Sequence, residues 1–435
     1  MTDIQHNFDQ AMPCPRAFLR SDPRSLEVAL DFGAGFAPRP VGTLDWDDTR
    51  RQAVLRWDAR FEADPLPLSP VLVRKHEGSL KPRRGWAFEG APALIGDSLP
   101  DGWARLLADY EIRASGGSPE GTSPLTRLSL VGLHGIGALT YRPAYPLTEP
   151  QEVSLEWFAG LAADVGDCVK MDDLTRLNNA SGGTHGQKPK FLAQLSPDGE
   201  TLRNHRAPLP QGWKHVLIKR RSRSDRNGAV EAEVAYGLMA RAAGLRTTWM
   251  GMLGSNTREQ YFVTQRFDRP GTKRLHVQTA AALFGVDFRT ADLDYIDLLK
   301  LTRAITRNQA QVEEMMLRMI FNVRAVNRDD HLKNHAFLMD ERGRWALAPA
   351  YDLCYSYGRG GLHALGIAGN RNQPGRMHFH DVARAIGIER ESVWDMVSQV
   401  DAALVRWPEF AEACGVPRLL KSSIQDDIEC ARSWT

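Results

Sequence analysis

Residues 311–356 constrain the fold of this chain more than any other stretch, because three different patterns follow one another there. Apolar residues recur at three- and four-residue steps over 312–326, which predicts a helix with one face in a core. A polar cluster follows at 327–334. Two short apolar runs, 335–339 and 345–348, flank a turn and predict a β-hairpin with a longer loop. We therefore expect a helix and a hairpin to bring polar side chains to a common place.

Acidic and amide side chains in this stretch have the spacing of a phosphoryl-transfer site. Asp329 and Asn334 lie five residues apart, the offset between the base and a magnesium ligand in the catalytic loop of protein kinases. Asp352, beyond the hairpin, would be the second magnesium ligand, and Lys333 could neutralise charge on a transferring phosphate. Two other interpretations stay open. One is a solvated turn that ends a helix, and the other is metal-dependent hydrolysis by the Asp-Asp-His cluster at 329–331.

The composition is that of an ordinary globular protein. The chain has 435 residues, enough for two or three domains, and 25% of them are charged. Its 55 basic and 53 acidic residues leave a net charge of +2, which is too balanced to predict nucleic-acid binding. The cysteines are scattered and never form a C-x-x-C pair, which favours a reducing compartment over disulfides or structural zinc. They are Cys14, Cys168, Cys354, Cys414 and Cys430.

Membrane and secretion signals are not recognisable. No apolar run approaches the roughly 20 residues of a membrane helix. The N-terminal residues lack the basic and apolar regions of a signal peptide. We therefore expect a cytoplasmic enzyme without a membrane partner.

A glycine-rich segment, LNNASGGTHGQKPKFLAQL at 177–195, is the second stretch with chemical character. Its glycines allow the backbone to approach an anion closely, and the amides of such a loop can cradle phosphates. Ser181 and Thr184 add hydroxyls, and Lys188 and Lys190 add positive charge. No Walker A pattern is present, so a plain hairpin turn is the alternative interpretation.

A strand pattern at 215–220, HVLIKR, brings a lysine to the end of an apolar run. Such a lysine is usually an edge residue. In kinases it contacts the α- and β-phosphates and is oriented by a glutamate on the next helix. A helix is predicted at 229–243, and Glu233 is our candidate partner for Lys219.

The flanking regions carry weaker signals. The first 150 residues contain short apolar segments broken by Gly and Pro, which predict a small antiparallel sheet or barrel, with a helix at 99–110. The letters Asp-Phe-Gly at 31–33 spell a kinase metal motif, but we interpret them as a strand end and turn. From residue 276 onward helical patterns dominate, which predicts an all-helical lobe. His378 and His380 have a metal-like spacing for a strand but no third ligand nearby.

A series of motifs resembles the HipA family of bacterial serine/threonine kinases, the toxins of type II toxin–antitoxin pairs. The resemblance implies an α+β, two-lobed protein-kinase-like fold. It would comprise an N-terminal β-rich subdomain at 1–150, a nucleotide-binding lobe at 151–268 and an all-helical C-terminal lobe at 269–435. The motifs are LPDGW at 99, GIGAL at 135, GQKPK at 186, QRFDR at 265, DDHLKNHAFL at 329 and APAYDLCYS at 348.

The resemblance also implies roles for the residues that match these motifs. Asp329 would be the catalytic base, with Lys333 beside the phosphates, and Asn334 and Asp352 would bind magnesium. Lys219 would contact the α- and β-phosphates. The residues implied for ATP binding are His185, Gly186, Gln187, Lys188, Pro189, Lys190, Lys219, Gln265, Arg266, Phe267, His331, Asn334, Tyr351 and Asp352.

The function implied is transfer of the ATP γ-phosphate to a serine or threonine of a protein, with ATP and Mg²⁺ as cofactors. The target class would be an aminoacyl-tRNA synthetase, and its phosphorylation would cause translation arrest and persistence. The implied partner is a HipB-like helix-turn-helix antitoxin, which would make the main DNA contacts of a co-repressor complex. Two alternatives are a small-molecule kinase of the antibiotic type and a non-catalytic ATP-binding partner of a DNA-binding repressor.

One position departs from the family pattern. In the family, a serine three residues before the glycine of the GxxPK motif is autophosphorylated, and this silences the kinase. The corresponding residue here is Gly183. Ser181 and Thr184 are therefore the candidate autophosphorylation sites, and self-inactivation is either shifted to one of them or absent.

Overall fold

The computed structural model describes residues 22–83, 87–145, 153–162, 171–222, 225–254 and 259–434. In this part of the chain the strands form two five-stranded sheets and one three-stranded sheet. Cys14, Cys168 and the N-terminal residues considered above lie outside the described residues.

The N-terminal sheet has the strand order β4-β3-β2-β1-β5 and is antiparallel throughout. Along β1, Leu26, Val28 and Leu30 are buried and alternate with more exposed residues, as in a sheet with one face on a core. The Asp-Phe-Gly letters at 31–33 follow β1 as a turn, as predicted. The elements are β1 (Ser25–Leu30), β2 (Arg39–Asp47), β3 (Gln52–Trp57), α1 (Ala59–Ala63), β4 (Ser79–Leu80), α2 (Ala93–Gly96), α3 (Gly102–Ala114), α4 (Pro124–Val131) and β5 (Leu139–Arg142).

The second sheet has the order β7-β6-β8-β10-β9, so β8 lies at its centre. The register pairs Lys219, at the end of β8, with Lys190 on one side and Phe262 on the other. The helix predicted after β8 is present and packs against β9 and β10. The elements are α5 (Leu155–Ala162), α6 (Met171–Ser181), β6 (Lys190–Leu195), β7 (Leu202–Asn204), β8 (Lys214–Lys219), α7 (Ala229–Ala242), β9 (Met250–Gly254) and β10 (Gln260–Gln265).

The C-terminal region is mostly helical, but it also holds the three-stranded sheet β11-β12-β13. The predicted hairpin forms β12 and β13. The third strand, β11, shows that the expectation of an all-helical lobe was wrong. Residues 276–279 are too few for a stable helix, and they pair instead with the free edge of β12. The elements are β11 (His276–Thr279), α8 (Ala280–Phe284), α9 (Tyr295–Thr306), α10 (Gln309–Arg324), β12 (Ala336–Met339), β13 (Trp345–Leu347), α11 (Arg376–Ile386), α12 (Arg390–Val405), α13 (Trp407–Ala413) and α14 (Arg418–Ser433).

Helix α10 is the central element of this lobe. Its predicted apolar stripe is buried, and Arg318, Asn322 and Arg324 on its other faces are buried as well. The two guanidinium groups bond to backbone carbonyls, from Arg318 to Ala348 at 2.6 Å and from Arg324 to Ala431 at 2.8 Å. The helix is therefore fixed on every side, and the polar cluster that follows it starts from a rigid base.

No helix in the described ranges is long and apolar enough to cross a membrane.

Candidate functional site

Lys219 lies where the second sheet meets the C-terminal lobe. Its Nζ is 2.6 Å from Oε1 of Glu233 on α7 and 2.5 Å from Oδ1 of Asp352. Burial disfavours the charged ammonium, but the two carboxylates outweigh it and raise the pKa of Lys219. The sequence-predicted partner Glu233 is thus in contact with the lysine, and a second acid from the other lobe joins them.

Asp352 and Asp329 are close enough for their charges to interact. Lys219 is the main cause that lowers the pKa of Asp352 below its ordinary value. The Asp329 side chain is 57% exposed, yet loss of part of its hydration raises its pKa, and the nearby carboxylate of Asp352 raises the pKa further, against the opposing effect of His331. Asp352 has a φ of +54°, a left-handed conformation that is uncommon for a non-glycine residue and often marks a functional position.

The loop from Asp329 to Asn334 closes on itself through short-range bonds. Asn334 Nδ2 donates to the carbonyl of Asp329 at 2.8 Å, and the Asn334 N–H donates to the carbonyl of His331 at 2.8 Å. The His331 Nε2 lies 3.8 Å from Oδ1 of Asp329, and its ring packs 4.6 Å from that of Phe288. Because Nδ2 of Asn334 is engaged, its Oδ1 is the atom left for a ligand.

Asp330 points away from this site into the core. Its carboxylate accepts bonds from the Tyr295 hydroxyl at 3.0 Å, His363 Nδ1 at 2.9 Å and the Ala364 N–H at 2.8 Å. Burial opposes ionisation, but His363 and these bonds lower the pKa of Asp330. Asp330 therefore anchors the loop from behind. This geometry gives no support to an Asp-Asp-His metal cluster for hydrolysis.

The glycine-rich loop follows α6 and turns tightly at Gly182, Gly183 and Gly186, whose φ angles are +57°, +69° and +92°. The Ser181 hydroxyl donates to the carbonyl of Asn178 at 2.8 Å. Ser181 and Thr184 are 0% and 1% exposed, so neither hydroxyl is accessible in this conformation.

The lysines of the loop gather beside Lys219. Lys190 Nζ donates to the carbonyl of His185 at 2.5 Å, and burial together with Lys219 lowers the pKa of Lys190 to about 8. Lys188 Nζ lies 3.3 Å from Asp225. Burial and the charge of Lys333 lower the pKa of His185 to about 3, so its ring is neutral. The predicted phosphate segment thus holds several cationic groups in one place.

Gln187 and Pro189 complete the segment. Gln187 is exposed, and the carbonyl of Pro189 accepts the Arg220 N–H at 2.9 Å, which ties the loop to the end of β8.

Residues 265–267, called the hinge here, are implied for ATP binding by the family resemblance, where their backbone would contact adenine. Two of their backbone N–H groups, however, already have partners within the protein. The N–H groups of Gln265 and Arg266 donate to the carbonyls of Trp249 and His215, both at 2.9 Å, so an adenine would have to use other backbone groups of the segment. The rings of Phe267 and Tyr351 pack 5.3 Å apart.

The side chain of Arg266 belongs to a buried ionic cluster that the sequence did not indicate. Arg266 donates to both carboxylate oxygens of Asp268, at 3.0 and 2.7 Å. Arg269 reaches the same carboxylate at 2.7 Å and also the carbonyls of Gly135 and Gly137, at 2.7 and 2.9 Å. Burial opposes ionisation of Asp268, but the two arginines lower its pKa. The cluster joins the hinge to the N-terminal subdomain.

Lys333 has a partner that the sequence analysis missed. Its Nζ lies 2.9 Å from Oδ2 of Asp101, which belongs to the LPDGW motif of the N-terminal subdomain. Arg289 approaches the other oxygen of Asp101 at 2.7 Å. The only sequence feature that could have indicated this contact is the acidic residue within the LPDGW motif.

Among the residues that the structure describes, no group of three or more His, Cys, Asp or Glu side chains could hold a metal ion. His378 and His380 lie on helix α11 and not on a strand, and the Nδ1 of His378 accepts the Gly375 N–H at 3.1 Å.

The fold and this site define a two-lobed protein of kinase-like architecture with an added N-terminal subdomain. The model of the HipA N-terminal domain matches residues 36–142, and that of the HipA-like C-terminal domain matches residues 182–407. The second match alone spans more than half of the chain. The chain belongs to the HipA family. The boundaries at residues 150 and 268 stay predictions.

Individual relatives differ in sequence identity to this chain and in how much of it they match. A protein of Sinorhizobium fredii named "Putative kinase Y4dM" is 33% identical over 96 residues, so the match spans 22% of this chain and only 23% of that protein. A chain in the structure of the Shewanella oneidensis MR-1 toxin–antitoxin system, HipA and HipB with operator DNA, has a TM-score of 0.64 at 17% identity, covering 93% of this chain and 95% of that one. This likeness shows a common fold. The Helicobacter pylori proinflammatory kinase CtkA has a TM-score of 0.35 at 12% identity, over 52% of this chain and 88% of that one.

Proposed function

We propose that this protein is a HipA-type toxin kinase that transfers the γ-phosphate of ATP to a serine or threonine of another protein. The observation that carries the proposal is Lys219, held between Glu233 on a helix and Asp352 from the other lobe. Kinases use a strand lysine paired with a helix glutamate, together with a metal-binding aspartate, to hold and neutralise the phosphates.

In this proposal Asp329 accepts the proton of the attacking hydroxyl. Partial loss of hydration and the charge of Asp352 raise its pKa, which makes the carboxylate a better proton acceptor. Lys333, four residues on, supplies positive charge beside the transferring group, and the loop lysines Lys188 and Lys190 supply further positive charge for the phosphates.

The donor atoms fit a magnesium ion. Oδ1 of Asn334 remains for a ligand because Nδ2 is engaged with the Asp329 carbonyl, and Asp352 keeps a second carboxylate oxygen besides the one on Lys219. These are hard oxygen donors, which Mg²⁺ prefers together with phosphate oxygens. When bound, the ion would neutralise charge on the phosphates of ATP.

The partners we propose follow from the family and from the Shewanella complex. A HipB-like helix-turn-helix antitoxin would bind this chain, make the main operator contacts and form a co-repressor with it. The protein target would be an aminoacyl-tRNA synthetase in the cytoplasm, and its phosphorylation would arrest translation and produce persistence.

Autophosphorylation, if it takes place, would use Ser181 or Thr184 and would require movement. Both side chains are buried, so residues 181–184 would have to leave their present position before transfer. The added charge of about −2 would then oppose their return beside nucleotide phosphates.

The test is phosphoryl transfer from γ-labelled ATP with Mg²⁺ to dephosphorylated casein and to proteins of a cell extract. Asp329→Asn should reduce transfer by about 10²–10⁴-fold, because the proton acceptor is lost. Asp381→Asn, which removes an acid from the surface of α11, is the matched control and should transfer as the wild type does.

The same pair of variants should be expressed in cells with and without co-expression of a HipB-like antitoxin. Growth arrest by the wild type and the control, but not by Asp329→Asn, supports the toxin function. Full transfer or full arrest by Asp329→Asn would refute the mechanism. The transfer assay should also include an aminoglycoside as a small-molecule acceptor. Labelling of the aminoglycoside but of no protein would favour a small-molecule kinase.

A further inference from the structure

One loop of the N-terminal subdomain enters the candidate site. It comprises residues 97–102, which are the connection between α2 and α3 and the first residue of α3, and is called the docking loop here. At its start, the carboxylate of Asp97 accepts the N–H and the hydroxyl of Thr279, at 2.6 and 2.8 Å. Directly after it, the Trp103 N–H donates to the carbonyl of Gly186 at 2.9 Å. The docking loop thus contacts the C-terminal lobe and the glycine-rich loop at once.

The docking loop also holds the end of the Lys333 side chain. Asp101 Oδ2 lies 2.9 Å from Lys333 Nζ, and the two side chains are only 18% and 11% exposed. The ammonium group also lies 5.1 Å from the centre of the Phe288 ring. A lysine side chain that is free to rotate carries about 2 kcal/mol of rotamer entropy, and these contacts restrict it before any substrate arrives.

We propose that Asp101 is a positioning residue for phosphoryl transfer, which holds the ammonium group of Lys333 in place from outside the two kinase lobes. The inference rests on the proposed kinase function. It gives the N-terminal subdomain a role in phosphoryl transfer, in addition to any role in binding a partner protein.

The contacts of Asp101 are more consistent with a role in positioning Lys333 than with a role in keeping Lys333 away from a substrate. An ammonium group has three N–H donors, so a bond to Asp101 leaves others for a phosphate. Asp101 also has Arg289 as a second cation at 2.7 Å, so its charge stays compensated when Lys333 shares its remaining donors with a substrate. The backbone of Lys333 is fixed as well, because the Tyr351 hydroxyl donates to its carbonyl at 2.5 Å.

The position of Asp101 itself is fixed by close backbone packing. Gly102 has a φ of +54°, and a Cβ at this residue would lie 2.3 Å from the carbonyl oxygen of Gly186. Only glycine allows the docking loop to approach the glycine-rich loop this closely. The distance between Asp101 and the proposed phosphate segment is therefore set by the backbone, and side-chain flexibility has little influence on it.

The experiment measures kcat and the KM for ATP with γ-labelled ATP and casein for the wild type, Asp101→Asn, Lys333→Met and the double variant. Asp101→Asn should lower kcat by about 10- to 100-fold, the factor expected for loss of a charge-assisted bond, with the KM for ATP within about twofold. In the Lys333→Met background the same substitution should cause no further loss, because Asp101 acts through Lys333.

Asp109→Asn is the matched control. Asp109 is 19% exposed and pairs with two arginines, Arg105 and Arg127, but all three lie within the N-terminal subdomain. This variant should lower the unfolding temperature and leave kcat unchanged. If Asp101→Asn does not fold, Asp101→Glu takes its place. It keeps the charge and displaces the carboxylate, and a smaller fall in kcat, absent in the Lys333→Met background, is expected.

The outcomes distinguish failure of the proposed kinase function from failure of the positioning role of Asp101. A wild type that transfers no phosphate refutes the proposed function. A wild type that is active and dependent on Asp329, with unchanged or higher kcat in the Asp101 variant, refutes only the positioning role. Additive losses in the double variant, or a rise in the KM for ATP alone, would also overturn it.

Discussion

Glu111, on helix α3, offers a quantitative test of the electrostatics around the glycine-rich loop. The side chain is fully buried and accepts bonds from Thr175 Oγ1 at 3.1 Å and Asn178 Nδ2 at 2.5 Å, both on the helix that leads into that loop. Burial raises the pKa of Glu111 from 4.5 to about 7, against the opposing effect of these bonds. The difference, at about 1.4 kcal/mol per pH unit, amounts to about 3 kcal/mol.

The sign of the effect follows from proton binding. Between pH 4.5 and about pH 7 the folded protein keeps the proton of Glu111 and the unfolded chain has lost it. Stability therefore falls as pH rises through this window, and the full cost is present above it. Glu111→Gln has no such cost, and its amide can still accept from Asn178 while it donates to the Thr175 hydroxyl.

The assay is urea unfolding of Glu111→Gln and the wild type at several pH values. The variant should be more stable by about 3 kcal/mol near pH 8 and by only about 1 kcal/mol near pH 5.5. Burial lowers the pKa values of His276 and His335 to about 3 and about 4, but they act equally in both proteins and cancel in the difference. Glu120→Gln, which removes a solvent-exposed glutamate, is the control and should show no such trend. A difference that does not change with pH, or a variant less stable throughout, would refute the reasoning.

Two further substitutions test the nucleotide site. Lys219→Met leaves Glu233 buried without its cation and should lower the free energy of unfolding by about 3 kcal/mol. It should also abolish the thermal stabilisation by Mg²⁺ and ATP, and stabilisation equal to that of the wild type would contradict the assigned role. Gly186→Ala forces a side chain onto a φ of +92° and should raise the KM for ATP, because the strained loop no longer approaches the phosphates as closely. Gly160→Ala, with nothing within 4 Å of the added Cβ, is its control, and an equal KM in both variants would contradict the prediction.

The parts of the site that could be predicted depend on local spacing. The interval between Asp329 and Asn334 and the order of strand and helix around Lys219 are visible in the chain, and the structure brings Glu233 and Asp352 to that lysine. These features follow from periodicity within single elements, and the element order then limits where they meet.

The contacts that could not be predicted connect distant segments. Asp101 and Lys333 are 232 residues apart, and a charged residue in a loop has the same pattern whether it faces solvent or another domain. The pairing of β11 with β12 also depends on tertiary contact, because four residues carry too little periodicity to identify. Arg266 illustrates the same difficulty: its motif indicated a nucleotide contact, but its guanidinium group serves a buried ion pair.

The ionic cluster around Asp268 has a consequence for how the protein can open. Arg269 ties the segment between the lobes to the carbonyls of Gly135 and Gly137, and each such charge-assisted bond is worth about 1.5–3 kcal/mol. Moving this segment away from the N-terminal subdomain would break several of these bonds together. The N-terminal subdomain thus acts as a brace that keeps this connecting segment in place.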